Sequence, residues 1–169
     1  PGLLALLAAH GVTGTFFQCG ANVERLPEAA RAVREAGHEI GNHGYSHAPF
    51  YLRSAAFIHG ELERAQRAIQ RVAGISPRLM RAPFGARWFG LRSAQRRLGL
   101  LGVMWTELAL DWKLSAGRIV DRVAPRVRPG SILCFHDGRE LQPNPDIRST
   151  LQSLELLIPM LLSRGFSFE

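Results

Sequence analysis

At 169 residues the chain is long enough to bury roughly two-thirds of its unfolded surface in one core, and 46% hydrophobic residues is the value of a globular protein, not a disordered one. No apolar run approaches the roughly twenty residues of a membrane span, so no transmembrane segment is expected in it. The net charge of +7 is almost wholly arginine, with Lys113 as the exception. These arginines are scattered along expected helix faces without a dense run or aromatic interleaving, so no nucleic-acid partner is expected.

The first ten residues, Pro1 to His10, are apolar but carry no basic flank, and they read as an amphipathic helix and not a signal peptide. The two cysteines, Cys19 and Cys134, are too far apart to form a framework. Thr13 to Cys19 is the first strand, and Pro27 to Ala36 a short helix with proline in its first turn and Gly37 beyond its end. His38 to Asn42 is the second strand. Ser54 then caps a long helix whose Ile58, Leu62, Ala65, Ile69 and Val72 recur every three or four residues, with Gly74 and Pro77 after it. Later strands are expected at 78–82, 102–107, 131–135 and 165–168, with helices around 88–98, 116–127 and 146–163, the last bent at Pro159. Strands alternating with helices imply parallel pairing, in an open sheet or a barrel. Functional groups then belong at the carboxyl ends of strands.

Four short constellations follow strands in this way. Gly41-Asn-His43-Gly-Tyr-Ser-His47 places two imidazoles four residues apart in a glycine-rich loop. They can face one metal, or serve as ordinary hydrogen-bonding histidines. Arg81-Ala-Pro83-Phe84-Gly85 is a strand end broken by proline and a glycine turn, able to present a backbone N–H to an oxyanion. Taken alone it is also simply a turn. Asp111-Trp112 pairs an acid with an indole, either as a carboxylate behind a site with a sugar-facing wall or as a loop acid beside a packing residue. Leu133-Cys-Phe-His136-Asp137 ends a strand in a histidine suited to general acid work near neutral pH.

In this order the motifs strongly resemble the polysaccharide deacetylase family, whose catalytic region is the NodB-homology domain. Gly-Val-Thr-Gly-Thr-Phe-Phe at 11–17 and Gly-His-Glu-Ile-Gly-Asn-His at 37–43 belong to the same likeness, which runs over 1–169 as one domain. The resemblance implies a distorted β/α barrel that hydrolyses N- or O-acetyl groups, most simply N-acetyl, on amino-sugar polymers such as peptidoglycan or chitin-like glycans. It implies a divalent metal held by one Asp and two His; zinc, cobalt and nickel all suit such ligands. His43 and His47 would be the histidine ligands, and Arg81 would orient the catalytic base. The Phe84 N–H would serve the oxyanion, and Leu133 would line the acetyl-methyl pocket. Trp112 would wall the sugar site, with His136 the general acid and Asp111 tuning it or pairing with Arg81. A polymeric glycan partner further implies a location outside the cytoplasm or at the cell envelope.

The sequence departs from the family pattern at both ends and at two positions. Its opening strand, ending Phe-Asp-Asp-Gly-Pro with the base and the third metal ligand, would lie ahead of Pro1, and the last strand would run past Glu169. Residues 1–169 alone are therefore expected to be inactive. Leu108 stands where a fuller Asp-x-x-Asp-Trp motif has its first Asp, and Gly44 stands where Ser or Thr is usual. The alternatives to a sugar deacetylase are a glycan-binding relative without catalysis and a hydrolase of a small non-sugar amide.

Overall fold

The computed structural model describes residues 2–138, 142 and 144–169. They fall into two compact units, Gly14–Met104 (the middle unit) and a terminal unit built from residues up to Thr13 together with Trp105–Glu169. Six short strands, all paired in parallel, carry the architecture among the described residues.

The middle unit holds a four-stranded sheet in the order β1 (Thr15–Gln18), β2 (Glu39–Asn42), β3 (Leu79–Met80), β4 (Leu101–Gly102). Parallel neighbours need crossovers, and helices supply them. They are α2 (Gly20–Arg25), α3 (Pro27–Glu35), α4 (Ala55–Ala73) and α5 (Leu91–Leu98), α1 being Gly2–Ala9 in the terminal unit. The Ser54 side chain accepts the Phe57 N–H at the start of α4, as its capping role requires. Ile58, Leu62, Ala65 and Ile69 are buried along one face of that helix. Phe50, Ile58, Leu62, Met80 and Leu91 form the centre of this core.

The terminal unit pairs β5 (Glu107–Leu108) with β6 (Leu133–Cys134), in register Leu108 to Cys134. Helices α6 (Ala116–Val123) and α7 (Arg148–Ser163) pack on each other around Ile119, Val123, Leu157 and Leu161, and α1 packs on α7. No helix among the described residues is long and apolar enough to cross a membrane.

Two expected strands are corrected. Residues 102–107 are not one strand: the segment pairs with β3 through Gly102 and the Val103 N–H, then with the strand around Ile132 from Thr106 onward. Between these, the carbonyls of Val103 and Met104 are taken by the Arg81 guanidinium and not by a ladder. Residues 165–168 form no strand. After Gly165 the Phe166 N–H bonds back to Leu161, and Phe166 and Phe168 pack on the α6–α7 core. The short α2 has no counterpart in the sequence reading.

Much of the arginine excess acts on the backbone. Arg31, Arg34, Arg122, Arg128 and Arg164 each donate to main-chain carbonyls, several at helix ends where such groups lack partners.

Candidate active site

β2 runs into the histidine loop without a break, since His43 extends the ladder by donating its N–H to the Gln18 carbonyl. Asn42 is fully buried and anchors the turn. Its Oδ1 accepts the Gly44 N–H at 2.9 Å, and its Nδ2 donates to the Leu62 carbonyl and to Gln66 Oε1. The chain then passes through left-handed conformations at Gly44 (φ 73) and His47 (φ 59). For glycine this is free of strain, which gives the Gly44 departure a backbone reason. For histidine it costs roughly 1–3 kcal/mol and needs support from its surroundings. Glu61, buried on α4, supplies part of that support. One carboxylate oxygen accepts the Tyr45 N–H at 3.1 Å, the Ser46 N–H at 2.8 Å and the Ser46 hydroxyl at 2.9 Å.

His43 Nδ1 lies 2.6 Å from the Arg81 carbonyl oxygen. A carbonyl can only accept, so Nδ1 carries the proton and the lone pair is on Nε2. This is the usual way a metal-binding imidazole is oriented. The His47 ring sits 5.1 Å from that of His43 and 4.7 Å from that of Phe84. Among the described residues no group of three or more His, Cys, Asp or Glu side chains is placed to hold a metal.

Arg81 follows β3 directly and is tied to β2 through its N–H to the Asn42 carbonyl. Its guanidinium donates to Val103 and Met104 and lies 4.2 Å above the Phe17 ring. Beyond it, Pro83–Gly85 forms one tight turn whose bonds are Gly85 N–H to Ala82 and Ala86 N–H to Pro83. Neither uses the Phe84 amide, and Phe84 itself is left-handed at φ 57.

In the terminal unit, Asp111 follows β5 and a left-handed Leu110, and His136 follows β6. The Asp111 side chain is only 1% exposed, whereas that of His136 is 42% exposed. Asp111 accepts the His136 N–H at 2.7 Å and lies 2.8 Å from His136 Nδ1. The Thr150 hydroxyl is 2.8 Å from Asp111 Oδ2 and 3.0 Å from the His136 carbonyl, so its single proton is shared between the two acceptors. Burial alone would raise the Asp111 carboxyl. Bonds from the His136 side chain and backbone and from Thr150 outweigh that, and its pKa lies below the ordinary carboxylate value. An ionised Asp111 fixes the proton of His136 on Nδ1 and leaves Nε2 as the working nitrogen. Trp112 meets the His136 ring edge-on at 4.8 Å, and a small pocket opens among Asp111, Trp112, His136, Ile147 and Thr150. Leu133 is half-buried on β6 against the α6–α7 core, and Leu108 lies on β5, its carbonyl accepting from Arg122.

His43, His47, Arg81 and Phe84 thus come together in one unit, and Asp111, Trp112, Leu133 and His136 in the other. Sequence reasoning missed Glu61, Asn42 and Thr150. Glu61 had a signal, because an acid three residues after Ile58 falls on the apolar stripe of α4. Thr150 had none, being a small polar residue in the first turn of a distant helix.

A sequence profile described as Polysaccharide deacetylase matches residues 1–103. The chain belongs to the polysaccharide deacetylase family. It is 34% identical over 174 residues to a chitooligosaccharide deacetylase of Bradyrhizobium sp. (strain ANU 289), covering 98% of this chain and 80% of that protein. A peptidoglycan-N-acetylglucosamine deacetylase of Bacillus cereus is 28% identical over 99% of this chain, which spans 60% of that protein's length. Among solved structures, a family 4 carbohydrate esterase from Streptomyces lividans in complex with acetate superposes with a TM-score of 0.89 at 29% identity, over 99% of this chain and 83% of that one. A CE4 family pseudoenzyme from Bacillus anthracis superposes with a TM-score of 0.91 at 26% identity, over 99% and 57%. The α/β fold of the family's solved members is therefore the fold of this chain. Since that fold serves both an esterase and a pseudoenzyme, function has to be read from side chains.

Proposed function

We propose that this polysaccharide deacetylase family member removes acetyl groups, N-acetyl in the first place, from an amino-sugar polymer or oligomer of the chitin or peptidoglycan kind, at the cell envelope or outside the cell. The observation that carries the reading is the buried, ionised Asp111 bonded to His136 in a chain of this family.

Hydrolysis of an acetamide needs charge stabilisation on the carbonyl oxygen and a proton for the departing amine. His136 answers the second need. With Nδ1 bonded to Asp111, its imidazolium would deliver the Nε2 proton to the amine nitrogen. The Phe84 N–H answers part of the first, since the turn's own bonds do not use it. Arg81, held over Phe17 and bonded to two carbonyls, keeps its positive charge in a fixed place and suits orientation of a carboxylate base. Trp112 offers an apolar wall beside the acid, and Leu133 a small apolar side chain for the acetyl methyl.

His43 and His47 would hold a divalent ion, zinc by preference and cobalt or nickel as alternatives, and the Nδ1 proton on His43 fits that role. When bound, such an ion polarises the carbonyl and lowers the pKa of water.

The test uses the protein as it occurs in the cell. Incubation with tetra-N-acetylchitotetraose or peptidoglycan should release acetate, a chelator should stop release and zinc should restore it, and His43→Ala should bind zinc more weakly in a calorimetric titration. Equal zinc affinity in the parent and His43→Ala would remove the ligand assignment. Glycan binding without acetate release would instead favour the non-catalytic relative, the reading to which the likeness to a pseudoenzyme points.

A further inference from the structure

The middle unit exposes aromatic surface on the two loops that carry its motifs. Tyr51 is 53% exposed and Leu52 83%, both between His47 and α4, and Phe89 is 82% exposed between Phe84 and α5. Half-buried Trp88 joins them. Its ring centroid lies 6.2 Å from Tyr51 and 5.4 Å from Phe89, edge-on to both at 77° and 76°. The three rings form one continuous array. The loops beneath them are pinned together, because a Cβ at Gly90 (φ 87) would stand 2.5 Å from the Ala55 Cβ and 2.7 Å from its Cα. The end of one loop therefore lies against the first residue of α4.

Contiguous exposed apolar surface marks binding sites, whereas single exposed apolar residues need no explanation. Its chemistry narrows the occupant. Three aromatic rings and one leucine suit flat rings with an apolar face, each carrying hydroxyls at its rim, better than they suit an aliphatic partner. The only charged residues within 48–60 and 82–92 are arginines, Arg53, Arg87 and Arg92. Tyr51 lies four residues from His47, and Trp88 four from Phe84. Four residues span at most about 14 Å of chain, so both ends of the array are tethered close to the histidine loop and the Phe84 turn.

We propose that Tyr51, Trp88 and Phe89 form a platform for sugar rings of the glycan chain beyond the one that carries the reacting acetyl group. The proposal rests on the deacetylase reading for the direction in which the glycan lies, but it is tested by binding and not by turnover. Binding energy from such remote rings can be used to orient the reacting one.

The experiment measures affinity for tetra-N-acetylchitotetraose and for N-acetylglucosamine by calorimetry, in the parent and in Tyr51→Ser, Phe89→Ser and Trp88→Ala, with zinc affinity and melting temperature recorded alongside. The two serine variants alter exposed side chains, so they keep the test decisive if Trp88→Ala, which packs partly on the core, fails to fold. Expected is about tenfold weaker binding of the tetramer in each serine variant, with zinc affinity and monosaccharide binding unchanged, since an exposed anchor ring typically contributes about that much. Undiminished tetramer binding in both serine variants would overturn the proposal. So would binding of the parent to phosphatidylglycerol vesicles that is lost in Phe89→Ser while no glycan is bound. Tetramer binding that depends on the array, with no acetate released by the parent, would sustain the platform and sink the deacetylase reading.

Discussion

In the histidine loop, position is stored in the backbone. Gly44 and His47 take left-handed conformations, and Asn42 and Glu61 hold them through bonds to main-chain N–H groups. In the Asp111–His136 half, position is stored in a charge: one carboxylate at 1% exposure gathers a backbone N–H, an imidazole and a hydroxyl. The first arrangement holds two imidazole rings 5.1 Å apart, as the proposed ion would need. The second sets which nitrogen of one ring carries a proton, as acid catalysis requires. Damage to the loop should therefore appear in stability and metal affinity, and damage to the pair in pH dependence and turnover.

The largest expected effect falls on His136, the proposed acid. His136→Ala should lower kcat on acetylated chito-oligosaccharide by about 100- to 10,000-fold with little change in KM, because the proton is needed in the transition state. Steady-state kinetics on the protein as it occurs in the cell would check this, and unchanged kcat across the pH range would make His136 a turn residue only.

Next is Glu61→Ala, which strands the Tyr45 and Ser46 N–H groups in a partly buried loop. A loss of about 1–3 kcal/mol is expected in a denaturant melt, together with weaker zinc binding. Glu61→Gln, which keeps an acceptor oxygen, should recover part of both.

Acid should act on the two halves at different pH. The folded pKa of Asp111 is depressed, so its contribution to stability is fully present above about pH 4 and is lost as the pH falls through the folded value. His38 in the middle unit is lowered by burial, and its Nδ1 accepts the Gly14 N–H. The unfolded chain thus takes up a proton below about pH 6.5 that the folded chain resists, and stability begins to fall there. Urea melts from pH 8 to pH 3 should show both declines, and Asp111→Asn should remove the lower one while leaving the upper. The smallest effect is that of Thr150→Val, which removes one hydroxyl bond to a carboxylate that keeps two others and should cost about 1 kcal/mol.

How much of this was legible beforehand depends on the range over which each feature is encoded. The helix from Ala55 to Ala73, with its Ser54 cap, was readable because periodicity and capping are local. So were the histidine loop and the Pro83 turn, where glycine and proline limit the backbone. Strand limits were not, because a strand ends where its partner ends: residues 102–107 look uniformly strand-like, yet they serve two different neighbours. Asp111 and His136 were legible as residues, but the Thr150 hydroxyl between them was not, since it reaches Asp111 from 39 positions away. Glu61 shows the intermediate case, an acid out of place on an apolar stripe that marks a buried bond without naming the donors.

The division at Met104 also bears on how the chain acquires its shape. The middle unit is continuous in sequence, and its parallel pairings join segments of modest separation. The terminal unit is not continuous: α1 packs on α7, more than 130 residues further along the chain. Closing a long loop is slower and costs more entropy than closing a short one. During refolding, amides of β1–β4 and α4 should therefore become protected from hydrogen exchange before those of α1 and α7.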